Sequence, residues 1–192
     1  MESSDIAVFL SLGSNQGDQT ELLKRARERI EIVVGRINKQ SSIYETVPWG
    51  MENAPLFLNQ VIQINTSLSP LELLSGLLGI EKELGRSRIP LLRYARNDNE
   101  VKPKFDDHNP TSHVSRSTSY LSRSIDIDIL FYGEEILDMP ELTIPHPLIT
   151  ERRFVLVPLA EIAGELCHPV SGTSITSLLA SCNDSGKVRV VG

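Results

Sequence analysis

The chain is poor in cysteine: its 192 residues hold two, Cys167 and Cys182. They show neither CxxC spacing nor further ligand residues beside them, so reduced thiols in a cytoplasm are the expectation. No apolar run approaches the roughly 20 residues that a membrane-spanning helix needs. Residues 1–5 are polar and acidic, with no basic patch leading into an apolar stretch, so no secretory signal is expected. Positive charge is also scarce. Nineteen Lys and Arg against 25 Asp and Glu give a net charge of -6, which argues against a nucleic-acid partner held by bulk electrostatics. There are no internal repeats. Gly13, Ser14 and Asn15 resemble the start of a phosphate loop, but no Lys-Ser/Thr follows, so they read as a strand-to-helix turn.

With 40% hydrophobic and 23% charged residues, the chain is expected to form a single domain over residues 1–192 with a substantial core. Its charge is unevenly placed. Residues 86–123 hold eight basic side chains (Arg86, Arg88, Arg93, Arg96, Lys102, Lys104, Arg116, Arg123) and four acidic ones (Asp98, Glu100, Asp106, Asp107). That segment is +4 and leaves -10 elsewhere, a pattern that suits a small anionic substrate better than a polyanion. Within it, residues 89–122 are polar and carry three prolines. Structureless stretches of that length inside a domain are lids or disordered insertions.

Periodicity predicts a buried strand over residues 5–12, then a helix from about Asp18 or Thr20 ended by Gly35, with Leu22, Leu23, Ala26, Ile30 and Val33 at helical spacing. Residues 36–45 read as a second strand, 46–55 as a loop, and 57–66 as a third strand. Ser69, Pro70 and Glu72 place an N-cap, a first-turn proline and a capping-box partner at the head of a helix to Leu84. Leu71, Leu74, Leu77, Leu78 and Ile80 are its expected inner stripe, and Gly85 its stop. A fourth strand spans residues 125–132, closed by Gly133. The order βαββαβ predicts an α+β, ferredoxin-like sandwich: an antiparallel sheet with helices on one face and the other open to carry a site, plus a C-terminal extension. That extension includes a helix starting over residues 150–154 and a further short helix near 174–180.

The fourth strand is the most informative stretch. Side chains alternate faces along a strand, so Asp126 and Asp128 point one way while Ile125, Ile127 and Ile129 point the other. Two anions roughly 7 Å apart repel by about 2 kcal/mol at an effective dielectric near 20. A cation or a proton offsets this; the simplest such cation is Mg²⁺, which favours one or two carboxylates plus substrate phosphates.

Six short motifs stand in order: Gly13 to Asn15; Thr46, Val47 and Pro48; Phe57 to Asn59; Glu81 with Gly85 and Arg86; Arg123 with Asp126 and Asp128; and Leu142 to His146. In this order and spacing the chain closely resembles the 6-hydroxymethyl-7,8-dihydropterin pyrophosphokinases, over residues 5 to about 166 except 89–122. The resemblance implies a ferredoxin-like enzyme of folate biosynthesis. Such an enzyme moves the diphosphoryl group of ATP to the pterin hydroxymethyl oxygen, releases AMP and uses two Mg²⁺.

By the same resemblance, Asp126 and Asp128 are the magnesium ligands, and Arg123 and Arg152 are catalytic arginines that reach the phosphates. A bidentate guanidinium suits phosphate oxygens. A basic residue in a first helical turn opposes the helix dipole, so local structure does not explain Arg152. Glu81, Arg86, Arg88, Ile129, Thr143 and His146 complete the implied ATP site. Arg86 and Arg88 also read as helix-end charges, Glu81 as a solvated helix residue, Thr143 as a strand threonine and His146 as a turn histidine bonded to backbone. Thr46, Val47, Pro48, Trp49, Phe57, Asn59 and Phe154 are the implied pterin contacts, the two phenylalanines sandwiching the ring. Asn59 shares a strand face with Phe57. Without the resemblance both phenylalanines read as core residues and residues 46–49 as a tight loop.

Departures from the family's pattern are Phe57 where tyrosine is usual, Ile89 where a basic residue is usual, and Ser119, Tyr120, Leu121 and Ser122 before Arg123. Expected partners are ATP and the pterin, with no nucleic acid or membrane, and the expected state is a monomer. Two rival readings remain: a ferredoxin-like small-ligand or RNA-binding module without catalysis, and a Mg²⁺-dependent nuclease using the same carboxylate pair. Salt-sensitive RNA affinity without ATP consumption marks the first, and cleavage independent of pterin marks the second.

Overall fold

The computed structural model describes residues 5–47, 55–85 and 124–191. Pro48, Trp49, Arg86, Arg88, Ile89, Tyr120 and Arg123, and the whole insertion at 89–122, lie outside the described residues.

Eight strands and four α-helices are described: β1 (Ile6–Ser14), α1 (Gln19–Val33), β2 (Arg36–Gln40), β3 (Tyr44–Thr46), β4 (Phe57–Thr66), α2 (Pro70–Glu83), β5 (Asp126–Tyr132), β6 (Leu137–Asp138), β7 (Thr143–Ile144), α3 (Arg153–Ala163), α4 (Ile175–Ser181) and β8 (Val188–Val190). The main sheet runs β5-β1-β4-β3-β8, with β2 also paired to β4, and every pairing is antiparallel. This is the expected α+β sandwich.

Local chemistry accounts for the element ends. Asp18 caps α1, its carboxylate accepting the Glu21 N–H at 3.0 Å. The Ser69/Glu72 capping box opens α2 as its sequence predicts. At Gly35 an added Cβ would lie 2.3 Å from the Asn65 carbonyl oxygen, so the turn into β2 tolerates no side chain.

One layer of the core lies between the sheet and α1 and α2. It is built from Val8, Leu10, Leu12, Ile62, Ile64, Ile125, Ile127 and Ile129 of the sheet against Leu23, Ile30, Leu73, Leu77 and Ile80 of the helices. The expected inner stripe of α2 is corrected in phase: Leu73, Leu77, Ile80 and Glu81 are buried, whereas Leu71 is 48% exposed. Leucines line most of this helix, so hydrophobicity alone left its rotation undetermined.

Residues 36–45 form two strands, β2 and β3, and not one. Ser41 interrupts them: its backbone N–H donates to the Val61 carbonyl while its hydroxyl accepts from the Val61 N–H. The open face also differs from expectation. The C-terminal extension lays α3 and α4 against part of it, burying Phe9, Val61, Leu130 and Phe131 with Val155, Leu156 and Leu159 in a second cluster.

A bulge in β5 makes this double use of one strand possible. Leu10 pairs with Ile129 but Phe9 pairs with Phe131, leaving Leu130 as the extra residue. Alternation shifts there. Ile127, Ile129 and Tyr132 face α1 and α2, whereas Leu130 and Phe131 join the second cluster. Cys167 and Cys182 are free thiols. No helix among the described residues is long and apolar enough to cross a membrane.

Candidate active site

The part of the sheet's second face that the second cluster leaves uncovered gathers the polar residues. Asn59 of β4 pairs with Gly13 of β1, and Gly13 pairs with Asp126 of β5, so the three form one row. Two residues further along β1 and β5, on the same face, Ser11 pairs with Asp128. Asp126 and Asp128 are half-buried and alternate with the fully buried Ile127, which places both carboxylates on this face. Gly13 is the floor between them and Asn59: an added Cβ would meet the Asn59 Oδ1 at 3.1 Å. With strands about 4.8 Å apart, Asn59 and Asp126 stand roughly 10 Å from each other across a residue that has no side chain. In the sequence Gly13 stands in a turn and in one of the six motifs, not as the floor of a site.

Asn59 is 4% exposed and its amide donates to the Thr46 hydroxyl at 2.7 Å, which fixes which edge it presents. Phe57 lies two residues earlier on the same face, half-buried and outside the core clusters, while Val47 is 47% exposed. Phe154 opens α3 and packs against the edge of the second cluster. The Arg152 guanidinium sits 5.7 Å from the Phe154 ring centroid, within cation–π reach. Its Nε is buried and makes no hydrogen bond among the described residues, a donor whose satisfaction calls for an acceptor.

Glu81 departs from the solvated reading. It is fully buried in α2, and its Oε1 accepts the Ile127 N–H at 2.8 Å. Among the described residues β5 ends the sheet, and the Ile127 N–H bonds to Glu81 and not to β1, so Glu81 holds the backbone between the two aspartates from behind. Ile129 has its side chain in the helix-side core at 5% exposure, so a ligand contact from this residue falls to its backbone.

Thr143 lies half-buried in β7, paired with Asp138 of β6. His146 is 5% exposed, and its backbone N–H donates to the Leu130 carbonyl at 3.0 Å, tying its loop to the bulge. Its Nδ1 accepts from the Leu148 N–H at 3.1 Å, so the neutral ring carries its proton on Nε2, a donor suited to an oxyanion. The backbone-bonded turn histidine and the phosphate-facing histidine are therefore compatible on opposite ring nitrogens. Ser14, fully buried, donates from its hydroxyl to the Ser124 carbonyl at 2.6 Å and ties the end of β1 to the entry of β5.

One further group, bonded to the Tyr44 that pairs with Asn59, went unnoticed in the sequence. Glu161 of α3 accepts the Ser42 N–H and hydroxyl and the Tyr44 hydroxyl, each at about 2.9 to 3.0 Å. Burial, followed by the hydrogen bond and charge of Glu161, pushes the Tyr44 phenol up from its ordinary value.

Comparison with known proteins adds to this geometry. The family described as 7,8-dihydro-6-hydroxymethylpterin-pyrophosphokinase (HPPK) matches residues 9–98 and 107–164. The chain belongs to the HPPK family. It is 36% identical to the 2-amino-4-hydroxy-6-hydroxymethyldihydropteridine pyrophosphokinase of Aquifex aeolicus over 85% of this chain and 84% of that protein. Against the Pseudomonas aeruginosa protein of the same name, identity is 34% over 96% and 97% respectively. The folic acid synthesis protein fol1 of Pneumocystis carinii is 39% identical over 89% of this chain, which spans only 19% of that longer protein. Wild-type Plasmodium falciparum HPPK-DHPS superposes with a TM-score of 0.62 at 16% identity, covering 94% of this chain and 45% of that one. The HPPK fold is thus shared, and the chain matches either nearly the whole of a relative or one part of a larger one.

Proposed function

We propose that this HPPK-family chain transfers the β,γ-diphosphoryl group of ATP to the hydroxymethyl oxygen of 6-hydroxymethyl-7,8-dihydropterin, giving the pterin diphosphate and AMP. One observation carries the reading. Asn59 and the Asp126/Asp128 pair share a sheet face across the bare backbone of Gly13, with Phe57 on the same strand as Asn59. A ring-recognition end and an acidic end are thereby held at a fixed separation.

Two half-buried carboxylates two residues apart fit Mg²⁺, which takes one or two carboxylates and completes its shell with phosphates and water. Two protein carboxylates leave the rest of the shell to phosphate oxygens and water, which suits an ion shared with substrate. Bound by Asp126 and Asp128, Mg²⁺ supplies charge neutralisation for the triphosphate.

The remaining work falls to side chains. Asn59, oriented by Thr46, reads the pterin edge, and Phe57 and Phe154 hold the ring faces. Arg152, with Arg123 and the Nε2–H of His146, binds phosphate oxygens on which charge builds during transfer. Arg86, Arg88, Thr143 and the Ile129 backbone are assigned to the nucleotide, and Val47, Pro48 and Trp49 to the pterin. Buried Glu81 keeps β5 in place beneath the aspartates. The hydroxymethyl oxygen bonds to the β-phosphorus, the bond from that phosphorus to the α,β-bridging oxygen breaks, and the hydroxyl proton passes to solvent. Positioning and charge stabilisation are most of what phosphoryl-type transfer requires.

The test is incubation with ATP, Mg²⁺ and 6-hydroxymethyl-7,8-dihydropterin, following nucleotide products. AMP in equal amount to pterin diphosphate is expected. ADP as the product, or no pterin-dependent turnover, overturns the reading.

A further inference from the structure

We propose that Asp184 is a positioning residue for the pterin slot, acting on the first turn of α3 and, through the strand that follows it, on the end of β3. The inference rests on the pterin-slot reading above.

The turn of α3 that carries Arg152 and Phe154 is short of internal support. Its N-cap residue is Arg152, which supplies no side-chain cap, and its first turn has no acidic residue. The Val155 and Leu156 N–H groups both converge on the Arg152 carbonyl at 3.0 Å. Pro158, inside the helix, has no N–H to offer the Phe154 carbonyl one turn back.

Asp184 supplies what the helix lacks, from 31 residues downstream. Its Oδ2 accepts the Arg153 N–H at 2.9 Å, capping α3 with an anion where the helix dipole favours one. Its Oδ1 accepts the Gly186 N–H at 2.8 Å, so the carboxylate is aimed by its own turn. Two residues after Gly186 the chain enters β8, where Val188 pairs with Thr46 and the Arg189 guanidinium meets Glu45 at 2.7 Å. Residues 184–189 therefore fasten the helix end bearing Phe154 and the strand end bearing Thr46. On the pterin-slot reading, those are two of its walls.

Three variants test this, with pterin and ATP KM measured separately and amide exchange followed at Arg153. Asp184→Ala should raise pterin KM by about three- to tenfold, more than ATP KM, and speed exchange at Arg153. Asp184→Asn should recover part of the loss: its amide has one acceptor oxygen where the carboxylate uses two, and its nitrogen then faces an N–H. Gly186→Ala keeps the charge but puts a Cβ 2.9 Å from the Asp184 Oδ1, so it should displace the carboxylate and act in the same direction. Unchanged pterin KM and unchanged Arg153 exchange in both Asp184→Ala and Gly186→Ala would overturn the proposal. Equal rises in both KM values with Arg153 still protected would overturn it too. Loss of the diphosphokinase reading would look different, as absence of AMP formation by the wild-type protein while Asp184→Ala still exposes Arg153 to exchange.

Discussion

Replacing Glu81 with leucine tests whether a helix on one face of the sheet controls carboxylates on the other. The Glu81 Oε1 is the acceptor for the Ile127 N–H at 2.8 Å, and Glu81 is fully buried. Leucine removes the acceptor and keeps the volume approximately, leaving a buried backbone N–H without its partner. Such a loss costs about 1–3 kcal/mol. In a domain of this size each kcal/mol lowers Tm by about 2–4 °C, so the midpoint should fall by roughly 4–8 °C for a 2 kcal/mol loss. Turnover should fall further than stability does, because Ile127 stands between Asp126 and Asp128 and a shift there moves both. Glu81→Gln retains an acceptor oxygen and should lie between wild type and Glu81→Leu on both measures. Thermal unfolding by circular dichroism and AMP formation give the two readouts, with amide exchange at Ile127 as the local probe. If Glu81→Leu matched wild type in Tm, in Ile127 exchange and in turnover, the coupling through β5 would be wrong.

Three further outcomes are expected. Asp126→Ala should abolish nearly all AMP formation while leaving the circular dichroism spectrum unchanged, and turnover within a few-fold of wild type would refute the metal assignment. Phe154→Ala should raise pterin KM by about two- to tenfold, the value of an offset-stacked pair, with a smaller effect on ATP KM; equal effects on both would count against the sandwich. Burial lowers the His168 pKa from 6.5, its ring packed edge-on to Phe131 at 5.7 Å between centroids. The folded state thus resists protonation that the unfolded chain accepts, so this contribution is complete above about pH 6.5 and is lost as pH falls towards the depressed folded value. Chemical denaturation across that window should show a shallower slope for His168→Gln than for wild type, and identical slopes would refute the assignment.

Much of this was legible from residue order. Alternation along residues 125–129, ahead of the bulge, placed Asp126 and Asp128 opposite the isoleucines. Ser69 and Glu72 marked the head of α2 because a capping box is local. What escaped notice depended on distant partners. The rotation of α2 was set by the buried Glu81 reaching Ile127, which no count of leucines contains. The break between β2 and β3 rests on Ser41 bonding across to Val61. Strand β8 is three residues long, and the alternation of Lys187, Val188, Arg189 and Val190 was its only local sign. Nothing in the sequence marked Asp184 for its role, because the Arg153 amide it caps lies 31 residues upstream.

The extra residue at Leu130 acts as a ruler. His146 is moored by its backbone to the carbonyl of that residue, two positions beyond Asp128 on the same strand. At about 3.3 Å per residue, the mooring point of the histidine loop stands roughly 7 Å from the nearer aspartate whatever the loop between them does. The exposed turn at residues 140–141 can change length without altering that interval, whereas Leu142 and Ile144 beyond it are held in the core. Deleting one residue of β5 cannot be absorbed so easily, because it would slide the mooring and turn Phe131 towards the wrong core in a single step.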